Sequence, residues 1–287
     1  MAHVVESIGY HVPRTPIVAT VHSVFERACN LSWRDTLLTL CHANAAPGPL
    51  VLHLAADEPA DFRRLLEAGE RVEGTGRRLC SERAEFDHAH AIVWRPGAPG
   101  PLLAPDRATA NLRRARQAVA DRLAATGSVI ATEGAPWVAA LVDACRDLHS
   151  DAVGPIVHRL VGWGEGLTPA GDDVLMGFMA ALDAPVFDDS SRRIFRDAVR
   201  AACIARTART TPVSAVHLRL AAEGLHGGAA LRARDALLGI DDARIVDAAL
   251  DDALAIGATS GAAMLAGLIG GLDASRASAA TRGQPRP

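Results

Sequence analysis

Residues Gly162 to Gly177 read G-W-G-E-G-L-T-P-A-G-D-D-V-L-M-G, a glycine-studded loop running into an apolar segment that opens on two adjacent carboxylates. Thr168 carries the side-chain oxygen an N-cap uses, and Pro169 then falls at the first helical position, where a missing N–H and a fixed φ do no harm. The motif therefore predicts a loop that turns into a helix at a definite point. Gly164 and Gly166, with Gly162 before them, can take positive φ or let the backbone approach a ligand closely. The first N–H groups of the new helix, near Leu167 and Gly171, are expected to face the same space. Free helix-start amides beside a glycine loop are one way to hold an anion.

Asp172 and Asp173 complicate that picture. Carboxylates in a first helical turn are favoured by the helix dipole, by about 0.3–1 kcal/mol each, so a purely structural role explains them. Beside a bound anion they would repel it, unless a hard cation such as Mg²⁺ lies between carboxylate and anion. Alternatively, an Asp accepts hydrogen bonds from a ligand's NH₂ group. The residues leave these readings open, and both Asp172 and Asp173 stand as candidate catalytic groups and as candidate metal ligands.

The rest of the chain sets the context for this motif. At 287 residues and 49% hydrophobic, with mean hydropathy +0.13, it has ample material for a core. A net charge of −3 and a pI near 6.4 give no global pull toward nucleic acid or anionic lipid, so an anionic ligand must be held locally. Cys29, Cys41, Cys80, Cys145 and Cys203 are scattered, without a C-x-x-C pair, which suggests reduced thiols rather than a disulfide frame or zinc site. No signal pattern or membrane-length apolar run is visible, and a cytoplasmic protein is expected.

Near residue 105 the chain changes character. Short apolar runs bounded by turn residues at 17–25, 50–55 and 91–94 read as strands. A short helical stretch is expected around 35–41, with further helices at 62–67 and 109–125. Beyond that, helices are expected over 137–148, 153–160, 171–182, 191–205, 213–223, 229–238, 243–256 and 262–272. The fold class is α+β: a small, largely antiparallel β domain over 1–105, with barrel-like closure open to it, then a larger helical domain over 106–273. A disordered tail over 274–287 completes the reading. The ligand cleft is expected between helix starts.

Two further clusters lie in the helical half. In A-R-T-A-R-T-T-P-V-S, Arg206 and Arg209 are followed by hydroxyls at Thr210, Thr211 and Ser214, and Arg209 is a candidate for forking onto a carboxylate or phosphate. The alternative is a capped, solvated helix junction. In G-A-T-S-G, Thr259, Ser260 and Gly261 precede a helix in which Ala263, Gly267 and Gly271 recur every four residues, a spacing that lets it pack closely on a neighbour. Of the histidines, His88 and His90 in D-H-A-H lack a third ligand nearby and read as solvated or structural, and His22 reads as a strand histidine. Trp163 reads as packing over its loop.

Taken in order and spacing, G-x-G-x-G-L-T-P-x-G-D-D, T-T-x-x-S and G-x-T-S-G, with V-H-S-V-F-E-R-A-C-N-L at Val21 to Leu31, resemble the AllH (YlbF-type) family over nearly the whole chain. The resemblance implies a subunit of a carbamoyltransferase of purine-derived nitrogen metabolism. Such enzymes interconvert oxalurate plus phosphate with oxamate plus carbamoyl phosphate in allantoin degradation. It also implies two partner proteins, an FdrA-like subunit and a second large subunit, and a small anionic ligand such as carbamoyl phosphate. Carbamoyl transfer passes through a tetrahedral oxyanion, which N–H groups, hydroxyls and arginine can stabilise. On that chemistry Asp172, Asp173, Thr168 and Arg209 are the catalytic candidates. Gly164, Gly166, Leu167, Gly171, Thr210, Thr211, Ser214, Thr259, Ser260 and Gly261 are the ligand-binding ones. Two other readings stand beside it: a non-catalytic scaffold of the same complex, and a stand-alone Mg²⁺-dependent hydrolase loosely like the ADP-ribosylglycohydrolases.

Overall fold

The structure, a computed structural model, describes residues 2–58, 61–184 and 189–282, with side chains through 276. It divides into two compact units, residues 1–97 and 98–287. The first is a closed β unit, the second helical, which is the α+β architecture expected from the sequence.

In the first unit, strands β1 (Ala2–Gly9), β2 (Ile17–Val24), β3 (Ala28–Trp33), β4 (Thr36–Cys41), β5 (Val51–Leu54), β6 (Arg71–Gly74), β7 (Arg78–Cys80) and β8 (Glu85–Asp87) form the ring β5-β4-β3-β2-β6-β7-β8-β1, closed by pairing β1 with β5. β9 (Ile92–Trp94) adds a parallel strand to β1. The ring pairings are antiparallel except β1 with β8 and β4 with β5. Alternation makes this barrel: along β2 the residues Ile17, Ala19 and Val21 are buried and the ones between them exposed. The short helix α1 (Phe62–Leu65) seats Phe62 inside, stacked on Phe86 of β8 at 6.4 Å between ring centroids.

One element departs from the sequence reading here. Residues 36–41 form β4, where a short helix was expected. Trp33 pairs with Thr36 across a two-residue turn, with Arg34 at φ +54°, and the β2-β3-β4 meander buries Leu38 and Leu40 completely. Tight turn chemistry and sheet burial outweigh the helical spacing of the leucines.

The second unit is built around α5 (Ala170–Leu182), in which every residue but Met176 is buried. A helix apolar on all sides belongs at the centre of a bundle, and the others wrap it. These are α2 (Pro105–Thr126), α3 (Ala135–Asp147), α4 (Ser150–Leu160), α6 (Ser190–Ile204), α7 (Pro212–Ala222), α8 (Gly228–Gly239), α9 (Ala243–Leu254) and α10 (Ser260–Arg282). The tightest seam is α5 against α10. A Cβ added to Gly267 would lie 1.9 Å from the Val174 carbonyl oxygen, and one added to Gly177 would lie 1.8 Å from that of Met264. The four-residue spacing read from the sequence is thus a backbone-to-backbone packing stripe.

α10 also runs on past Asp273, through Arg282, where a disordered tail was expected from 274. Ala274 and Ser275 are buried, and Arg192 donates to the Ser275 carbonyl at 2.7 Å, so packing against α3 and α6 holds helix that composition alone would leave free. Residues 283–287 of that expected tail lie outside the described residues. Among the described residues no helix is long and apolar enough to cross a membrane.

Candidate functional site

The loop 162–169 carries the chain from the end of α4 to the start of α5. Gly162, Gly164 and Gly166 have φ of +75°, +107° and +92°, the left-handed values the sequence anticipated. Their uses differ. Gly162 lies against the backbone of Arg209 and Gly164 against that of Ala170, whereas a Cβ on Gly166 would meet nothing within 4 Å. The loop is closed in at its two ends and open at Gly166 and Leu167, whose side chain is 45% exposed.

The helix begins one residue later than expected. Pro169, not Thr168, occupies the N-cap position, without a side-chain cap. Of the amides expected to be free, that of Gly171 is engaged, donating to the Trp163 carbonyl at 2.8 Å, and just beyond it the N–H groups of Asp172 and Asp173 donate to that of Pro169 at 2.9 and 3.2 Å. The reason is burial, because an amide this deep must find a partner, and the positive-φ loop folds its own carbonyl back to supply one. Gly171 lies 2.1 Å, at an added Cβ, from the Leu160 carbonyl oxygen, so it serves packing.

The two carboxyls sit one step apart on α5 and are both buried, Asp172 at 0% exposure and Asp173 at 4%. Asp172 is wrapped in donors. Oδ1 accepts from Gly162 N–H at 2.9 Å, and Oδ2 accepts from the hydroxyls of Thr210 and of Ser214, the latter at 2.7 Å. Burial raises its pKa and these three donors oppose the rise. Asp173 is bonded by the hydroxyls of Ser260 and Thr168, which also meet each other at 3.0 Å, but its Oδ2 is buried without a hydrogen-bond partner among the described residues. Burial pushes its pKa up to about 8, the Asp172 charge adds to the rise, and the Ser260 and Thr168 hydroxyls oppose it. Burial opposes charge on both acids, but Asp172 has donors at both oxygens, whereas Asp173 keeps one oxygen without a donor among the described residues.

The structure thus joins three segments far apart in sequence. Thr210 and Ser214 come to Asp172, and Thr168 and Ser260, 92 residues apart, come to Asp173. Thr211 donates to the Leu167 carbonyl at 2.5 Å and accepts from Ser214 N–H at 3.1 Å, so it ties the loop to the start of α7. Arg209 is not brought to the carboxyls. It ends a 3₁₀ turn, Thr207–Arg209, is exposed, and its charge acts on His158 of α4, whose pKa it lowers. Thr259 contributes its carbonyl to Ala263 N–H in the first turn of α10, and Gly261 packs under the Ala253 carbonyl. Trp163 packs edge-on against Trp137 at 5.0 Å, as expected. The contributor that sequence reasoning missed is the Gly162 amide, whose sign was a glycine at the loop's first position.

Toward a Mg²⁺ ion the pair offers one carboxylate oxygen without a donor among the described residues. Both oxygens of Asp172 face N–H or O–H donors, Asp173 alone offers one monodentate ligand, and no group of three or more His, Cys, Asp or Glu converges among the described residues. What the corner can do is bind hydrogen-bonding groups. Asp173, Ser260 and Thr168 lie where the N-termini of α5 and α10 meet, and the two hydroxyl residues are half-buried, at the edge of solvent.

A family model described as oxamate carbamoyltransferase subunit AllH matches residues 160–272, a span that contains the loop, both carboxyls and every hydroxyl just described. A second, described as the AllH family N-terminal domain, matches residues 6–93, the closed β unit. No curated protein and no solved structure matches the chain. With family models over both units and most of its length, the chain belongs to the AllH family.

Proposed function

We propose that this chain acts in a multi-subunit carbamoyltransferase that interconverts oxalurate plus phosphate with oxamate plus carbamoyl phosphate. In this reading it is active only together with an FdrA-like subunit and a second large subunit. The corner formed by Asp173, Ser260 and Thr168 is the part of this chain that meets the small ligand. The observation that carries the reading is the convergence of the three signature segments on one pair of adjacent carboxyls inside the region matched by the AllH model. Hydroxyls and helix starts gathered in a half-buried corner are suited to a group whose carbonyl carbon becomes tetrahedral and whose oxygen gains charge. Arg209, exposed on the far side of the Gly162 turn, is left out of that corner and belongs to the surface.

The test is reconstitution. The chain is combined with the FdrA-like and second large subunits, singly and together, and carbamoyl phosphate formation from oxalurate and phosphate is measured. The full assembly is expected to form product and each incomplete set to fall at least tenfold below it. Equal rates with and without this chain would assign the chemistry wholly to the other subunits and make this chain a scaffold.

A further inference from the structure

The sequence posed a conflict between an anion held at a helix start and two acids beside it. The structure resolves it without a cation. Asp172 is closed off by one N–H and two O–H donors, so its charge is spoken for. Asp173 is 4% exposed, has hydroxyls at its carboxyl, and keeps Oδ2 without a protein partner among the described residues. A buried carboxyl oxygen without a donor cannot support a negative charge, and the Asp172 carboxylate next to it opposes a second one. Among the described residues, the charge that acts on Asp173 is that of Asp172. Of the helices packed on α5, α10 brings the neutral Ser260, and α7 brings its Ser214 to the other acid. A protonated carboxyl is a donor, and at Oδ2 its O–H has no acceptor among the described residues.

We propose that Asp173 works as a neutral carboxylic acid that donates from Oδ2 to a carbonyl or carboxylate oxygen of a small oxo-acid amide, with Ser260 and Thr168 fixing the carboxyl's orientation. The proposal rests on the carbamoyltransferase reading for the identity of the ligand and deepens it. The ligand presents an acceptor oxygen here, not its NH₂ group, and no metal mediates. The neighbouring starts of α5 and α10 favour negative charge on that oxygen, and a neutral Asp173 does not repel it. Thr168 and Ser260 are half-buried, so the corner lies one hydroxyl layer below the surface.

The experiment uses oxamate as the probe, with the assembled enzyme carrying the wild-type, Asp173→Asn or Asp173→Ala chain. Asparagine donates from its NH₂ in place of the acid's O–H, so its affinity is expected to stay within about threefold of wild type, whereas alanine weakens binding at least tenfold. Above about pH 8 the wild-type affinity is expected to fall by about tenfold per pH unit and that of Asp173→Asn to stay flat. Separately, infrared spectra of the isolated chain near neutral pH are expected to show a protonated-carboxyl C=O stretch that Asp173→Asn abolishes. Asparagine as damaging as alanine, or no such stretch, overturns the proposal. An assembly that turns over, with oxamate affinity indifferent to pH and to residue 173, also overturns it and leaves the function standing. A wild-type assembly without carbamoyl transfer overturns the function instead, while the infrared band still decides the charge of Asp173.

Discussion

Asp172 and Asp173 are neighbours on one helix, yet their surroundings could hardly differ more. Successive residues of an α-helix point about 100° apart, so one carboxyl turns toward the Gly162 loop and α7 and the other toward α10. The first meets three donors from two chain segments; the second meets two hydroxyls and has an oxygen left over among the described residues. Identical side chains have been given opposite tasks by what packs against them. Around Asp172 the molecule has a hydrogen-bonded knot that ties the loop to α7, and around Asp173 it has a corner with a carboxyl oxygen left without a partner among the described residues.

The sharpest way to break this contrast is to remove each acid in turn. Asp172→Ala strips the acceptor from Gly162 N–H, Thr210 and Ser214 at once and strands buried donors. A loss of about 3–5 kcal/mol in urea unfolding is expected. A loss under about 1 kcal/mol would show that the knot is dispensable and the comparison empty.

Asp173→Asn is expected to move stability the other way. The folded pKa of Asp173, about 8, lies above the ordinary carboxylate value, so the unfolded chain gives up this proton first. Its contribution is fully present below about pH 4, declines as pH rises toward 8, and is gone above that. Asparagine removes the slope and is expected to stabilise the chain by about 2–4 kcal/mol at or above pH 8, with little difference near pH 4. Thermal unfolding of both chains across that range reads it. Parallel curves at all pH values would mean that Asp173 is ionised in the folded state.

Single hydroxyls sharpen the same distinction with smaller effects. Ser214→Ala removes a donor from a carboxylate and is expected to lose about 1.5–3 kcal/mol, whereas Ser260→Ala removes a partner of a neutral acid and is expected to lose about 0.5–1.5 kcal/mol. Equal losses in equilibrium unfolding would argue that the two acids carry the same charge.

How far this was legible beforehand depends on what kind of information each feature needs. The helices of the second unit and three of the strands, β2, β5 and β9, followed from apolar runs and periodicity, and the left-handed loop glycines from their own chemistry, whereas β1, β3, β6, β7 and β8 are short or partly polar and depend on their partners in the ring. The stripe Ala263, Gly267, Gly271 announced a close helix crossing without naming α5 as the partner. The residues 36–41 misled because a tight turn at Arg34, not their own spacing, made them a strand. At the site, the hydroxyl residues were picked out as types, but the grouping of Thr210 and Ser214 with one acid and Thr168 and Ser260 with the other is a tertiary fact spanning up to 92 residues. The Gly171 amide, expected to be free, is engaged for the same reason. Whether a helix start is open to a ligand depends on which carbonyl folds back over it, here that of Trp163. Arg209 shows the limit from the other side, since an arginine close in sequence to Thr210 can still point away from the acids that Thr210 serves.

The smallest effect tests the tie between the two regions. Thr211 caps α7 by accepting from Ser214 N–H and holds the open turn by donating to the Leu167 carbonyl. Valine keeps its shape and loses both bonds, so Thr211→Val is expected to lose about 1 kcal/mol of global stability, the usual size of an N-cap. Its local effect should be larger than its global one. Among the described residues the turn at Gly166 and Leu167 has no second hydrogen bond to α7, and releasing it should speed hydrogen exchange of the loop amides while that of the Gly162 amide, held by Asp172, stays slow. Thr211→Ser restores the hydroxyl and is expected to restore both. If instead Gly162 exchanges as fast as Leu167 in the valine variant, the knot and the corner open together, and the two acids belong to a single cooperative unit.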